Sequence, residues 1–213
     1  MRTPFLVLIG LLISYSFSTA QTSAVTSTGD EVILYEDGTW KYADGKLPSE
    51  EEIPVNSKKF KKDKSSTFLI ESSRVDLGFY INPKKWSFNK DSDINSEAEY
   101  ELRLKDGDLY GMIISEKFEM PLTTLRDLAV ENGRKVAPDL RIVNEEYRTV
   151  NGLKVLWLRM DGSMQGIKFS YYGYYYSGEE GTVQFITYTA QNMLEDYRND
   201  CETLLNGFVK TSK

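Results

Sequence analysis

The sequence predicts an α+β domain: an antiparallel sheet with helices packed on its faces. Three observations carry this. Asp37-Gly38, Asp106-Gly107 and Asn151-Gly152 each separate two strand-like arms, the short-range mark of a hairpin. Apolar spacing shifts to the helical period in "PLTTLRDLAVENGRKV" and again in "NMLEDYRNDCETLLNG". The order is then strands, helix, strands, helix, and runs of hairpins build antiparallel rather than parallel sheets.

The chain opens "MRTPFLVLIGLLISYSFSTAQ". Arg2 precedes an apolar run from Phe5 to Ile13, and Ser18-Thr19-Ala20 supplies small residues before Gln21. This reads as a secretory signal peptide over residues 1–20, cleaved after Ala20, leaving an exported chain that is periplasmic or secreted. Ser14 and Ser16 interrupt the run well short of the ~20 apolar residues of a spanning helix. No cysteine follows to take a lipid, so no transmembrane segment or anchor is expected in the mature chain.

The formal charge is −6, and loss of Arg2 with the leader takes it to −7. Such a balance argues against nucleic acid and against anionic lipid surfaces as partners. At 40% hydrophobic and 13% aromatic the chain can build a core. Its single cysteine, Cys201, excludes an internal disulfide, and it has no histidine. That removes most hydrolase triads, the usual zinc sites and the commonest general base.

After Gln21, the stretch "EVILYEDGTWKY" (31–42) reads as a hairpin. Val32–Tyr35 and Thr39–Tyr42 are its arms and Asp37-Gly38 a type I′ turn. Residues 43–66 are polar, hold two prolines and pass from an acidic block to a basic one. They read as a flexible linker, since little in them offsets the entropy of ordering.

The main domain follows over 67–213. "TFLIES" and "LGFYIN" are strands, and "NPKKWSF" turns into a third. "EAEYELRL" and "LYGMIISEKF" form a hairpin about Asp106-Gly107. In the first helix Leu122, Leu125, Leu128 and Ala129 share a stripe, and Thr124 with Asp127 makes a capping box. "LRIVNEEYRTV" and "LKVLWLRM" flank Asn151-Gly152. Beyond Asp161-Gly162 come "GIKFSYYGYYY" and "GTVQFITYTA", joined by "SGEEG". In the last helix Leu194, Tyr197, Cys201, Leu204 and Leu205 share a face, and Gly207 suits a C′ position. Phe208 and Val209 add a short closing segment.

The segment "LGFYINPKKW", with its strand, proline and tryptophan, resembles the opening of PsbP/DcrB-like domains. The later order of elements is similar over about 67–210. The resemblance implies an α/β/α sandwich and accessory, non-catalytic roles in assembling or stabilising larger complexes. It supplies no catalytic residues. The hairpin "EVILYEDGTWKY" resembles one found near the N-terminus of small exported proteins of Bacteroidetes-type bacteria.

The most distinctive candidate site is "FSYYGYYYSG" (169–178). Alternation places Phe169, Tyr171, Gly173 and Tyr175 on one face and Tyr172, Tyr174 and Tyr176 on the other. A loop symmetric about Glu179 would pair Tyr174 with Gln184 and Tyr172 with Ile186, leaving the even-numbered face amphipathic. Two readings stay open. The hairpin is central and covered on both faces, or Tyr172, Tyr174 and Tyr176, with Gln184 and Trp40, stack on a glycan, a peptide or a partner protein. Gly173 in mid-strand marks a bulge or a close approach.

Asp91, Asp93 and Asn95 alternate as in a calcium loop. However, Ser96 stands at the sharp-turn glycine position and Leu102 at that of the bidentate glutamate. A solvated loop is expected, with no metal and no cofactor. Glu116 with Glu119, and Glu145 with Glu146, read as surface charges, and Gly162–Gly166 lacks the lysine of a phosphate loop. The expectation is an exported, non-catalytic binding or assembly protein of the cell envelope. Its partner would be an envelope protein complex or, in the alternative, a glycan or peptide held by the tyrosine face.

Overall fold

The computed structural model describes residues 22–25, 31–35, 40–43, 53–90 and 95–211. The chain divides into two units, before and after the Glu52–Ile53 junction. The first holds one sheet in the order β1 (Thr22–Val25), β2 (Glu31–Leu34), β3 (Trp40–Tyr42). The expected arms pair antiparallel, Val32 opposite Tyr42 and Leu34 opposite Trp40. The Asp37-Gly38 turn and the leader lie outside the described residues. Strand β1 extends this sheet on the far side of β2 and is not anticipated by the sequence.

The second unit departs from the expected flexible linker at its start. Val55–Phe60, expected in the linker, is strand β4, an edge of the large sheet. It runs parallel to β10 (Arg141–Val150), with Val55 opposite Tyr147 and Phe60 opposite Val150. The Tyr147 and Asn151 amides donate to the Pro54 and Phe60 carbonyls at 2.8 and 3.0 Å. Composition misleads here because an edge strand needs few apolar side chains. Phe60 alone is buried, and that suffices with a ladder beside it.

The remaining strands of this sheet are β7 (Trp86–Lys90), β8 (Tyr100–Leu104), β9 (Tyr110–Glu116), β11 (Leu153–Met164), β12 (Ile167–Gly178) and β13 (Gly181–Ala190). Among the described residues the order is β4-β10-β11-β12-β13-β9-β8-β7, antiparallel except at β4, so the sheet is mixed. Asn151 and Gly152 turn β10 into β11 with φ of 48° and 90°, as read from the sequence. The next turn differs. Asp161-Gly162 does not break the chain, and Gln165-Gly166 turns instead, with φ of 52° and 82°. Gly162 is in the strand because Leu140 packs onto it. A β-carbon there would lie 2.9 Å from Leu140 Cδ1.

A second sheet, absent from the sequence reading, has the order β14 (Phe208–Lys210), β6 (Leu77–Ile81), β5 (Phe68–Glu71). It shares a core with one face of the large sheet and with helix α2 (Leu194–Leu205): Phe79 and Phe208 meet Phe185, Tyr176, Cys201 and Leu204. Helix α1 (Leu122–Arg134) covers the opposite face, where Leu125 and Ala129 pack with Leu156, Leu158, Tyr175 and Ile186. One helix therefore lies on each face, and the small sheet shares the α2 side.

One cap expectation fails, and the other holds in position but not in geometry. Helix α1 starts at Leu122 with Pro121 as its cap and no side-chain bond, so Thr124 sits too far in to cap. Asp127 instead accepts from Arg126 Nε at 2.9 Å. Helix α2 ends on Asn206 in right-handed geometry, and Gly207 is not left-handed. Glycine is required there by proximity: a β-carbon would overlap the Tyr80 carbonyl oxygen.

Candidate functional site

The even-numbered tyrosines of β12 lie under α2 rather than in the open. Tyr172, Tyr174 and Tyr176 are 0, 1 and 7% exposed. The β12–β13 register explains this. Gly178 pairs with Gly181, leaving a two-residue loop of Glu179 and Glu180. Tyr172, Tyr174 and Tyr176 then stand opposite Thr187, Phe185 and Val183, one residue away from the expected pairing. A one-residue shift exchanges the faces of the partner strand. The tyrosines thus join Val183 and Phe185 in the core, while Gln184 pairs with Tyr175 and points to the α1 side. Trp40 belongs to the other unit, and its side chain lies outside the described residues. Gln184 therefore does not share a face with Tyr172, Tyr174 and Tyr176.

Each hydroxyl of the covered face is engaged. Tyr172 donates to Glu202 Oε1 at 2.7 Å and Tyr174 to Asn206 Oδ1 at 2.8 Å, both on or just after α2. Tyr176 donates to Glu180 Oε2 at 2.5 Å, and the same carboxylate pairs with Lys210 of β14. Burial pushes all three phenols up, Tyr174 to about 12, so they stay protonated at physiological pH.

Arg148, on β10, sits at the centre of this layer. Its Nε donates to Glu146 Oε1 at 2.6 Å, and its Nη1 lies 3.7 Å from Glu202 Oε1 and 3.4 Å from the Tyr174 hydroxyl. Its guanidinium stands 4.3 Å from the Trp157 ring and 4.7 Å from that of Phe60. Burial opposes the charge, but the Tyr174 hydroxyl and the Glu146 carboxylate outweigh it and hold Arg148 protonated. Asn56 of β4 donates to Glu146 Oε1 as well, at 3.0 Å. The cluster therefore ties β4, β10, β12 and α2 together. Its charges are matched by fixed partners, so its chemistry is that of a clamp.

Two further buried carboxylates escape the sequence reading. Glu99 accepts from the Ser72 hydroxyl at 2.7 Å and from the Ser73 amide and hydroxyl at 2.6 and 2.8 Å. Asp161 accepts from the Ser170 hydroxyl at 2.7 Å, from Gln191 at 2.6 Å and from Arg159 at 3.2 Å. In both, burial raises the pKa but the donors prevail, and the net shift is downward. No single spacing marks them: Ser72, Ser73 and Gln191 are 27, 26 and 30 residues from their acceptors, Ser170 is on the neighbouring strand, and Arg159 is two residues away on β11.

Other candidates resolve simply. Gly173 lies in an unbroken ladder, and a β-carbon there would be 2.9 Å from the Phe185 carbonyl oxygen, so what approaches it is β13. Cys201 is buried and its thiol is pushed up to about 11 by that burial, which makes it unreactive. Glu145 pairs with Arg126. Asp91 and Asp93 lie outside the described residues. Among the described residues no three His, Cys, Asp or Glu side chains are grouped to hold a metal, and no helix is long and apolar enough to cross a membrane.

The layers and strand order define the class: the domain is PsbP-like in fold. It matches the solution structure of cyanobacterial PsbP (CyanoP) from Synechocystis sp. PCC 6803 with a TM-score of 0.51 at 12% identity, over 70% of this chain and 94% of that one. Similarity extends to a protein of Pseudomonas aeruginosa described as a putative regulator, PA94, with a TM-score of 0.44 at 10% identity over 68% and 98% of the two chains. It extends also to LpqN of Mycobacterium tuberculosis, described as involved in cell envelope biogenesis, with a TM-score of 0.46 at 9% identity over 68% and 90%. No family model matches the chain, and no curated protein matches it by sequence.

Proposed function

We propose that this chain is an exported, non-catalytic accessory protein of the cell envelope, one that binds or assembles a partner rather than transforming a substrate. The observation that carries the reading is the PsbP-like fold, shared with CyanoP along nearly all of that protein. The resemblance of "LGFYINPKKW" to PsbP-like openings implies accessory roles, and the leader over residues 1–20 supports export. The buried charges support it too: Arg148, Glu99 and Asp161 are held by several fixed partners each, the arrangement of structural groups rather than of a proton-transfer pair.

Fractionation of the native host tests both parts. The expected result is a protein with Gln21 as its first residue, outside the cytoplasm, that in-cell cross-linking joins reproducibly to a defined envelope complex. A protein retained in the cytoplasm with its leader attached would refute the export reading. Turnover of any member of a broad hydrolase substrate panel by the purified chain would refute the non-catalytic one.

A further inference from the structure

We propose that the lysine run on and after β4 is a docking strip for an anionic phospholipid surface. Lys58, Lys59, Lys61, Lys62 and Lys64 fill five of seven positions. The strand fixes this run in place. Asn151 receives the Lys62 amide at 3.0 Å, and the Lys62 ammonium donates to the Ser66 carbonyl at 3.1 Å while standing 4.7 Å from the Tyr80 ring. Lys58, Lys59, Lys61 and Lys64 are exposed, and among the described residues no carboxylate forms an ion pair with them. Asp63, the one acid inside the run, is held by the Ser65 amide and hydroxyl at 2.8 and 2.6 Å.

Lysine on an edge strand commonly serves to discourage pairing with a foreign sheet. That role explains Lys58 and Lys59. It does not explain Lys61, Lys62 and Lys64, which follow the last residue of the ladder. The run also holds no arginine. Arginine is the residue that recognises a shaped carboxylate or phosphate with a rigid fork, whereas lysine is a hydrated point charge on a flexible stem. A lysine-only strip reads a diffuse field, and a layer of headgroup phosphates supplies one. The acidic whole-chain balance argues against such a surface only at long range. At physiological salt the screening length is about 8 Å, so charges beyond the strip are largely silenced.

The inference rests on the export reading above and names the surface met there. Vesicle sedimentation of the purified chain from Gln21 tests it separately from localisation. Vesicles of pure phosphatidylcholine are compared with equal mixtures of phosphatidylcholine and phosphatidylglycerol, at low and high salt. Binding is expected to the mixed vesicles alone and to disappear in high salt. The triple variant Lys59→Glu, Lys61→Glu, Lys64→Glu alters side chains that hold no part of the fold. It should melt like the parent and bind at least about tenfold more weakly. Equal binding to both vesicle types, or undiminished binding by the folded variant, would overturn the proposal. So would indifference to vesicles combined with salt-sensitive retention on polyglutamate, which would assign the strip to an acidic protein. Vesicle binding by a chain found in the cytoplasm would leave the strip intact and remove its place of action.

Discussion

Tyr174 and Tyr175 are neighbours on β12 with opposite fates. The Tyr174 hydroxyl meets Asn206 and Arg148, whereas that of Tyr175 is fully buried on the α1 side with no partner among the described residues. Removing a bonded hydroxyl strands its partners, while removing an unbonded one relieves a desolvation cost. Tyr174→Phe should therefore destabilise by about 1–3 kcal/mol and Tyr175→Phe should be neutral or stabilising by up to about 1 kcal/mol. Urea unfolding of the two variants checks the contrast. Glu99 sets an acid limit by the same local logic. Its folded pKa lies below its unfolded value of 4.5, so its contribution is complete above that pH and fades as pH falls through the folded value. Glu99→Gln should thus weaken the protein near neutrality, with the gap to the parent closing in acid, as thermal melts across a pH series would read. Alternation along "FSYYGYYYSG" was legible in the sequence and correctly separates its two faces. What covers each face was not, because a register one residue from the assumed one exchanges every cross-strand partner.

At the scale of elements, both helices were legible from their period, and most hairpins from their turn residues. Caps and edges were less so. Gly207 is glycine because β6 passes beside it, a fact that no local pattern encodes. Gly207→Ala should force β14 off β6 or shift the Tyr80 backbone, at a cost of about 3 kcal/mol. Calorimetry would show it, and an unchanged melting temperature would mean that the Tyr80 contact yields freely. Strand β4 was hidden for a related reason. Its partner is distant in sequence and only Phe60 of its side chains is buried, so composition alone resembles a tether. The exposed triple-lysine variant and Gly207→Ala bracket what this region tolerates: charge reversal on the surface, but not a methyl group in the seam.

For the whole molecule, the strand–helix–strand–helix order was enough to suggest the PsbP-like fold, but not its second sheet. That sheet joins β5 and β6 to β14 at the far end of the domain, and a linear reading sees only their local character. The boundary between the two units precedes β4, at Glu52–Ile53. A chain begun at Ile53 should melt as the intact protein's main transition does. One begun at Thr67 should lose about 2–3 kcal/mol with the burial of Phe60 over Arg148 and Val150. Equal stability of the two would return residues 53–66 to the status of a tether. The parallel docking of β4 also bears on timing. Synthesis delivers the N-terminal side first, yet Asn56 and its partner Glu146 are 90 residues apart. The sheet of β1 to β3 can close as soon as it emerges, while β4 must wait, lysines outward and Phe60 uncovered, until β10 arrives. Closing so long a loop belongs late in folding. Phe60→Leu should accordingly hasten unfolding and leave the refolding rate nearly untouched, which stopped-flow measurements of both arms would read.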